Sequence, residues 1–266
     1  STGEDVDPAP GGPPHRAGDE AAVLMTLAES GYRASVRDIL ISRAHRQNRL
    51  GAVIHKNLDV TAATITAADR ALEIAPDPAL AQALSEFVAD GARWILANPA
   101  EGVSEALVAA HNLLVRVGAE KAARELSELL PWKVEPNASP VAYDENIDVV
   151  KLARSAFELS INDPSGALAT LEELASFASS TLNWPSRISP STRTGTGGAG
   201  HDLCVTAWFV RSVLRLLVDD RADCLRVAAV WPKEWHAQGV EVHRVPSRYG
   251  NVSWAVRWHG DRPALL

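Results

Sequence analysis

The hydrophobic pattern of this chain divides it into helical segments joined by links that are alternately short and long. Apolar residues recur at the three-to-four-residue spacing of an α-helix in nine segments. The predicted helices cover residues 21–30, 35–49, 60–75, 79–97, 103–117, 119–130, 145–161, 166–182 and 202–218. In an up-and-down array of antiparallel helices, alternate links emerge on the same side. The long links are therefore predicted to share one rim, where a site for a polar ligand would lie.

The pattern changes to that of short β-strands after Asp220. The segments 240–245 and 251–259 are rich in β-branched and aromatic residues and are bounded by Pro and Gly. In 251–259 apolar residues alternate with polar or small ones, which predicts a half-buried strand. Residues 249–251 are the predicted turn before it, and 263–266 are predicted to begin another strand. The sequence thus predicts a mainly α fold with a small C-terminal antiparallel β appendage.

Composition indicates three regions and excludes several classes of protein. Residues 1–18 are rich in Pro, Gly and acidic side chains and predict an irregular arm, followed by a helical domain at 19–219 and the β appendage at 220–266. A chain of 266 residues, 46% of them hydrophobic, is long enough to bury a sizeable core. The net charge of -7, with scattered Lys and Arg, argues against binding to nucleic acid.

No apolar run approaches the about 18 residues needed to cross a bilayer, so no membrane association is predicted. We expect a cytoplasmic protein, or a secreted one if a leader has been removed. The two cysteines, Cys204 and Cys224, are expected to be free thiols, with a disulfide as the alternative.

Three segments together resemble one family of enzymes. GARWI at 91–95, WPSRISPSTRTGTGGAGHD at 184–202 and the whole of 240–266 are similar to the six-hairpin glycosidase superfamily, especially its bacterial glucoamylase-like and rhamnosidase-like members. The likeness covers most of residues 20–266. It implies an (α/α)6 toroid of antiparallel hairpins that binds a carbohydrate substrate in a funnel at one end.

The helix count departs from this family, because nine helices are predicted here where twelve are expected. Three explanations remain open. The mature chain has lost N-terminal helices, or an additional chain or oligomer completes the toroid, or the fold is an open helical array with degenerate activity.

The resemblance implies hydrolysis by two carboxyl groups, which stand about 6.5–9.5 Å apart in inverting enzymes. The rim carboxyls are Asp59, Asp144, Glu145 and Asp202, with Glu135 a weaker fifth candidate. The preferred pair is Glu145 as general acid and Asp59 as base, because they lie on separate rim links. The alternative is helix capping: Asp59 and Asp144 each directly precede a predicted helix, and Glu145 and Asp202 lie in first turns.

Other rim residues are candidates for substrate binding. They are Trp132, Trp184, Arg187, His201, Tyr143 and His55. Trp132 and Trp184 are either platforms for the apolar face of a sugar ring or core residues. His201 either binds a sugar hydroxyl or caps a helix. The glycine-rich stretch 195–200 is predicted to be a mobile rim loop that closes over ligand.

No cofactor or metal is predicted. The eight His residues are dispersed and none occurs in an HExxH motif, and the glycine-rich stretch lacks the Lys-Ser/Thr ending of a phosphate loop. Three functions remain open. They are a glycoside hydrolase, a catalytically degenerate carbohydrate-binding protein, and an α-helical repeat scaffold for protein partners.

Overall fold

The fold of the described residues agrees with the predicted class. The computed structural model describes residues 17–53, 58–98, 104–130, 146–198, 200–221, 224–260 and 262–266. Within these ranges the protein is mainly α-helical, with a small antiparallel sheet at the C-terminal end. The coarse prediction is confirmed, whereas the toroidal arrangement of the helices stays a prediction.

All nine predicted helices are present in the described residues. They are α1 (Ala17–Glu29), α2 (Arg33–His45), α3 (Leu58–Ile74), α4 (Pro78–Ala97), α5 (Ser104–Arg116), α6 (Glu120–Leu129), α7 (Val149–Asn162), α8 (Pro164–Ser176) and α9 (Leu203–Leu217). Two of them, α2 and α8, end four and six residues earlier than predicted. The side chain of Asn48 accepts hydrogen bonds from the N–H groups of Leu50 and Ala52, and Ser179 Oγ does the same for Thr181 and Asn183. Such local bonds offer the backbone an alternative to helix.

Among the described helices, α4, α7 and α8 begin at an aspartate that caps them, as does α9 at Asp202. Asp77 accepts from the N–H of Leu80 at the start of α4, and Asp148 and Asp163 cap α7 and α8 in the same way. In α4 and α8 a proline follows the cap, where its missing N–H removes no helical hydrogen bond. These caps explain why the predicted starts agree with the structure to within a few residues.

The strands are short except at the C-terminal end. They are β1 (Ile147–Asp148), β2 (Arg187–Ile188), β3 (Gly195–Gly197), β4 (Val218–Asp219), β5 (Arg226–Val227), β6 (Val240–Ser247), β7 (Gly250–His259) and β8 (Arg262–Leu265). β1, β2 and β3 form one antiparallel sheet, β4 pairs with β5, and β6, β7 and β8 form a third antiparallel sheet.

The chain divides into two compact units. The described residues within Asn137–Ser212 form one, called here the central unit, and those within His15–Pro136 and Val213–Leu266 form the other, the terminal unit. The division differs from the predicted one at 219/220. It falls within α9, and the C-terminal β segment belongs to the same unit as the first six helices.

In the terminal unit the core is built around α3, which packs against α1, α2, α4 and α5. Most of its residues are buried, as expected of an inner helix. Gly91 of α4 allows close approach, since a Cβ there would lie 3.0 Å from Ile65 Cδ1. On α3, Arg70 forms ion pairs with Glu29, Glu73 and Asp220 at 2.9, 2.7 and 2.9 Å, which ties α1 and α3 to the segment after β4.

The hairpin of β6 and β7 turns one residue earlier than predicted. Ser247 pairs with Gly250, so that Arg248 and Tyr249 form a two-residue turn and Gly250 is already the first residue of β7. The serine hydroxyl fixes this turn, because it donates to Gly250 O and accepts from the Tyr249 N–H. On the inner face of β7, the buried Trp254 donates its indole N–H to Leu217 O at 3.1 Å.

Candidate functional site

Six of the eleven predicted site residues lie outside the described residues. These are His55, Trp132, Glu135, Tyr143, Asp144 and Glu145. Asp59, the proposed partner of Glu145, is half-buried and is the second residue of α3. It therefore lies in the first helical turn, where the helix dipole favours an acid, and not at the predicted capping position. The separation of the preferred catalytic pair stays a prediction.

The carboxylate of Asp202 is buried, and protein donors bind both of its oxygens. Ser186 Oγ donates to Oδ2 at 2.6 Å, and the N–H of Cys204 donates to Oδ1 at 2.9 Å. The side chain thus caps α9 from the position before its first residue, and only 7% of the residue is exposed. This geometry favours the capping interpretation of Asp202 over the catalytic one.

Trp184 lies in the core of the central unit. It is 1% exposed, its indole N–H donates to Leu174 O at 2.7 Å, and its ring centroid lies 5.1 Å from that of Phe209. The prediction of an exposed platform for a sugar ring is therefore wrong for Trp184. The alternative interpretation, a core residue, is confirmed because the ring fills the space between α8 and α9 and its one polar atom has a partner.

The segment between Trp184 and α9 contains the hairpin of β2 and β3, so it is not a loop along its whole length. Residues 195–197 form β3, which pairs with β2, so the predicted mobility is wrong for this part of the glycine-rich stretch. Arg187 of β2 is exposed, and its aliphatic stem covers Gly197, where a Cβ would lie 3.6 Å from Arg187 Cδ. His201 is also exposed, so both residues are accessible to a polar ligand.

The buried Ser186 and Asp202 and the exposed Gly198 form a contact that we call the clasp. A Cβ on Gly198 would lie 2.2 Å from Ser186 Oγ, and Gly198 has a φ of +81°, so only glycine fits. The carbonyl of Ser186 also accepts from the N–H of Val149 at 3.0 Å, and the Asp202 N–H donates to Trp184 O at 2.8 Å. The clasp holds the base of the hairpin against the starts of α7 and α9. The clasp was not predicted from the sequence, although the glycine-rich stretch 195–200 was an indication of it.

The pairing of β1 with β2 joins the residues just before α7, which were predicted to be helical, to a link that was predicted to lie on the rim. Ile147 pairs with Ile188, and Asp148 pairs with Arg187. Ile147 follows Glu145 by two residues in the sequence, and Arg187 belongs to the segment 184–202. The structure therefore brings the end of one long link beside the middle of another.

Two arginines of the central unit lie against aromatic rings. The guanidinium carbon of Arg211 is 4.5 Å from the ring centroid of Phe157 and 5.3 Å from that of Trp208. Arg154 lies 5.9 Å from the Trp208 ring, and Arg211 is only 2% exposed. The contacts are cation–π interactions that strengthen the packing of α7 on α9.

In the terminal unit, one acid has a markedly perturbed pKa. Burial raises the pKa of Asp69 from 3.8 to about 6, although Arg116 and Asn112 lower it in part. Asp69 Oδ1 lies 3.2 Å from Arg116 Nη2, but this ion pair is not aligned as a hydrogen bond and Oδ1 has no other partner in the described residues. Such an acid is a candidate for proton transfer in general. Asp69 belongs to α3, and its partners Arg116 and Asn112 belong to α5. Its side chain therefore supports the packing of these two helices.

Comparison of the chain with protein-family models, with curated proteins and with solved structures found no match. In the described ranges, no helix has the length and hydrophobicity needed to cross a membrane. Nor do three His, Cys, Asp or Glu side chains of those ranges converge into a metal site. Cys204 and Cys224 form no disulfide in the described part of the chain, and Cys204 is buried whereas Cys224 is exposed.

Proposed function

We propose that this chain is a glycoside hydrolase-like protein that hydrolyses an oligosaccharide or polysaccharide with a pair of carboxyl groups. The observation that carries the proposal is the pairing of β1 with β2. It places the chain just after Glu145 beside Arg187, and so beside the segment 184–202 on which the resemblance to six-hairpin glycosidases depends most. The exposed Arg187 and His201 then supply hydrogen-bond donors for sugar hydroxyls.

In this proposal Glu145 protonates the departing oxygen and Asp59 activates water. An inverting reaction needs about 6.5–9.5 Å between the two carboxyl groups, so that a water molecule fits beside the sugar. Asp144 is the alternative to Glu145. Asp202 is the weakest of the four candidates, because the clasp and the Cys204 N–H occupy its oxygens. The proposed fold is the helical-hairpin toroid, completed by an additional chain or oligomer where this chain falls short.

The test is isosteric replacement of the two carboxylates. Glu145→Gln and Asp59→Asn are each expected to abolish release of reducing ends from a panel of oligosaccharides while calorimetry still detects binding. Glu128→Gln and Asp90→Asn are matched controls on exposed helix surfaces. Equal hydrolysis rates in the wild type and in both site variants would exclude this pair.

A second candidate function is carbohydrate binding without hydrolysis. The placement of Asp202 favours it over hydrolysis, because this candidate acid is buried and both of its oxygens have structural partners. Binding of an oligosaccharide by the wild type, with no products after prolonged incubation, would support this function. Sedimentation equilibrium would show whether a larger assembly completes the fold.

A further inference from the structure

A cluster of aromatic rings lies in the C-terminal β segment of the terminal unit and contains none of the predicted site residues. It consists of Trp231, Trp235, His236 and Trp258, called here the aromatic cluster. The rings of Trp231 and Trp235 meet edge to face with centroids 5.4 Å apart, and those of His236 and Trp258 lie 4.6 Å apart. The three indoles are half-buried and His236 is exposed, so the cluster reaches the surface.

Two indole N–H groups of the aromatic cluster lack an acceptor in the described part of the chain. They are Nε1 of Trp231 and Nε1 of Trp258, and both atoms are buried. By contrast, the indole N–H groups of Trp254 and Trp184 each donate to a backbone carbonyl. Native proteins satisfy nearly all buried donors. Two such donors in one cluster therefore favour a partner that supplies oxygen acceptors.

The segment that carries most of the aromatic cluster is held mainly by its own bonds. The N–H groups of Trp235, His236 and Gln238 each donate to the carbonyl three residues earlier. Ala228 and Ala237, at the two ends of the segment, have φ values of 48° and 62°. Non-glycine residues in this region are strained, and such strain is concentrated at functional sites. Because both indole nitrogens are buried, a ligand reaches them only if this segment shifts.

The chemistry of the cluster fits a sugar better than an apolar partner. Indole faces pack against the C–H face of a pyranose ring, and its hydroxyls accept hydrogen bonds from indole N–H groups. The same segment exposes Lys233, Glu234, His236 and Gln238, which can bind further hydroxyls. An aliphatic protein surface offers no acceptor for the two indole donors. We propose that the aromatic cluster is a second carbohydrate-binding site that takes pyranose units of an oligosaccharide.

This site depends on the proposed function only for the class of ligand, and it binds sugar whether or not the chain hydrolyses it. The probes are maltohexaose, cellohexaose and chitohexaose, added to the full chain carrying Glu145→Gln so that the probe is not consumed. At least one hexasaccharide is expected to shift the indole N–H resonances of Trp231 and Trp258, assigned by single Trp→Phe variants. Trp235→Ala and His236→Ala are each expected to weaken binding to this site about tenfold in calorimetry.

Matched variants separate binding from folding. Trp235→Phe keeps an aromatic ring and should retain most of the affinity, whereas Tyr32→Ala removes an aromatic that is 60% exposed on the link between α1 and α2 and should change nothing. Circular dichroism checks that each variant is folded. The proposal is overturned if no hexasaccharide shifts the two resonances, if Trp235→Ala and His236→Ala bind as tightly as Tyr32→Ala, or if Trp235→Ala only abolishes self-association.

The outcomes for the two sites are distinguishable. Loss of hydrolysis in Glu145→Gln with no resonance shift at Trp231 and Trp258 supports the proposed function and overturns the second site. Resonance shifts at Trp231 and Trp258 without any hydrolysis by the wild type support the second site and overturn the proposed function.

Discussion

Replacing Asp69 by asparagine is expected to change how the stability of the protein depends on pH. Asp69 is the acid whose pKa burial raises from 3.8 to about 6, and 16% of its side chain is exposed. The substitution keeps the shape of the side chain and its contact with Asn112, but it removes the charge. An asparagine at this position therefore resembles the protonated form of the acid at every pH.

The size of the change in the free energy of unfolding follows from the shift in the pKa of Asp69. The difference between 3.8 and about 6 is about 2 units, and each unit corresponds to about 1.4 kcal/mol, which gives about 3 kcal/mol. Because the folded pKa is the higher one, the folded state binds more protons than the unfolded state between these two pH values. The free energy of unfolding that Asp69 contributes therefore falls as pH rises through this window and is constant above it.

The assay is urea unfolding at several pH values from 4 to 8. The gain in stability of Asp69→Asn over the wild type should be larger at pH 8 than at pH 4, by about 3 kcal/mol at most. Asp90→Asn is the matched control, because Asp90 is 44% exposed and pairs with the exposed Arg93. A difference between pH 4 and pH 8 that equals that of the control would refute the reasoning. A difference of opposite sign would show that the ion pair with Arg116 outweighs burial.

Two further predictions concern residues whose contacts stabilise one of the two units from within. Arg70→Met should lower the free energy of unfolding by about 3–5 kcal/mol, because it removes the guanidinium that pairs with the buried Asp220; a loss below about 1 kcal/mol in urea unfolding would contradict this. Gly198→Ala should lower the melting temperature by several degrees more than Gly31→Ala. Both positions have positive φ, but only at Gly198 would the new Cβ collide with Ser186, so equal losses would show that the clasp tolerates the methyl group.

The helices could be predicted because their determinants are local. The apolar spacing of α4, with Asp77 and Pro78 at its start, specifies both the type and the position of the element. The same holds for β7, whose alternation of buried and exposed side chains is visible in the sequence. By contrast, β1, β2 and β3 contain only two or three residues each, which is too short for any period. Their pairing depends on contacts between residues distant in sequence.

The candidate site was harder to predict, because the same residue types serve structure and chemistry. Asp202 is preceded by glycines and starts a helix, which suits a catalytic rim acid and a cap equally well; only the position of Ser186, sixteen residues earlier, decides between them. Trp184 follows the same logic. Its burial depends on Leu174 and Phe209, and no local pattern around Trp184 indicates that these residues surround it.

The clasp and the β1–β2 pair together constrain where chemistry can occur in the central unit. Ser186 O binds the N–H of Val149 and Ser186 Oγ binds Asp202, so one residue fixes the base of the hairpin to the starts of two helices. The side chains that this base leaves accessible are Arg187 and His201. Neither is an acid, and hydrolysis of a glycosidic bond requires two. Because Asp202 is occupied, the hydrolase proposal takes its acid from the residues just before β1. The hydrolase proposal therefore depends most on the effect of substituting Glu145.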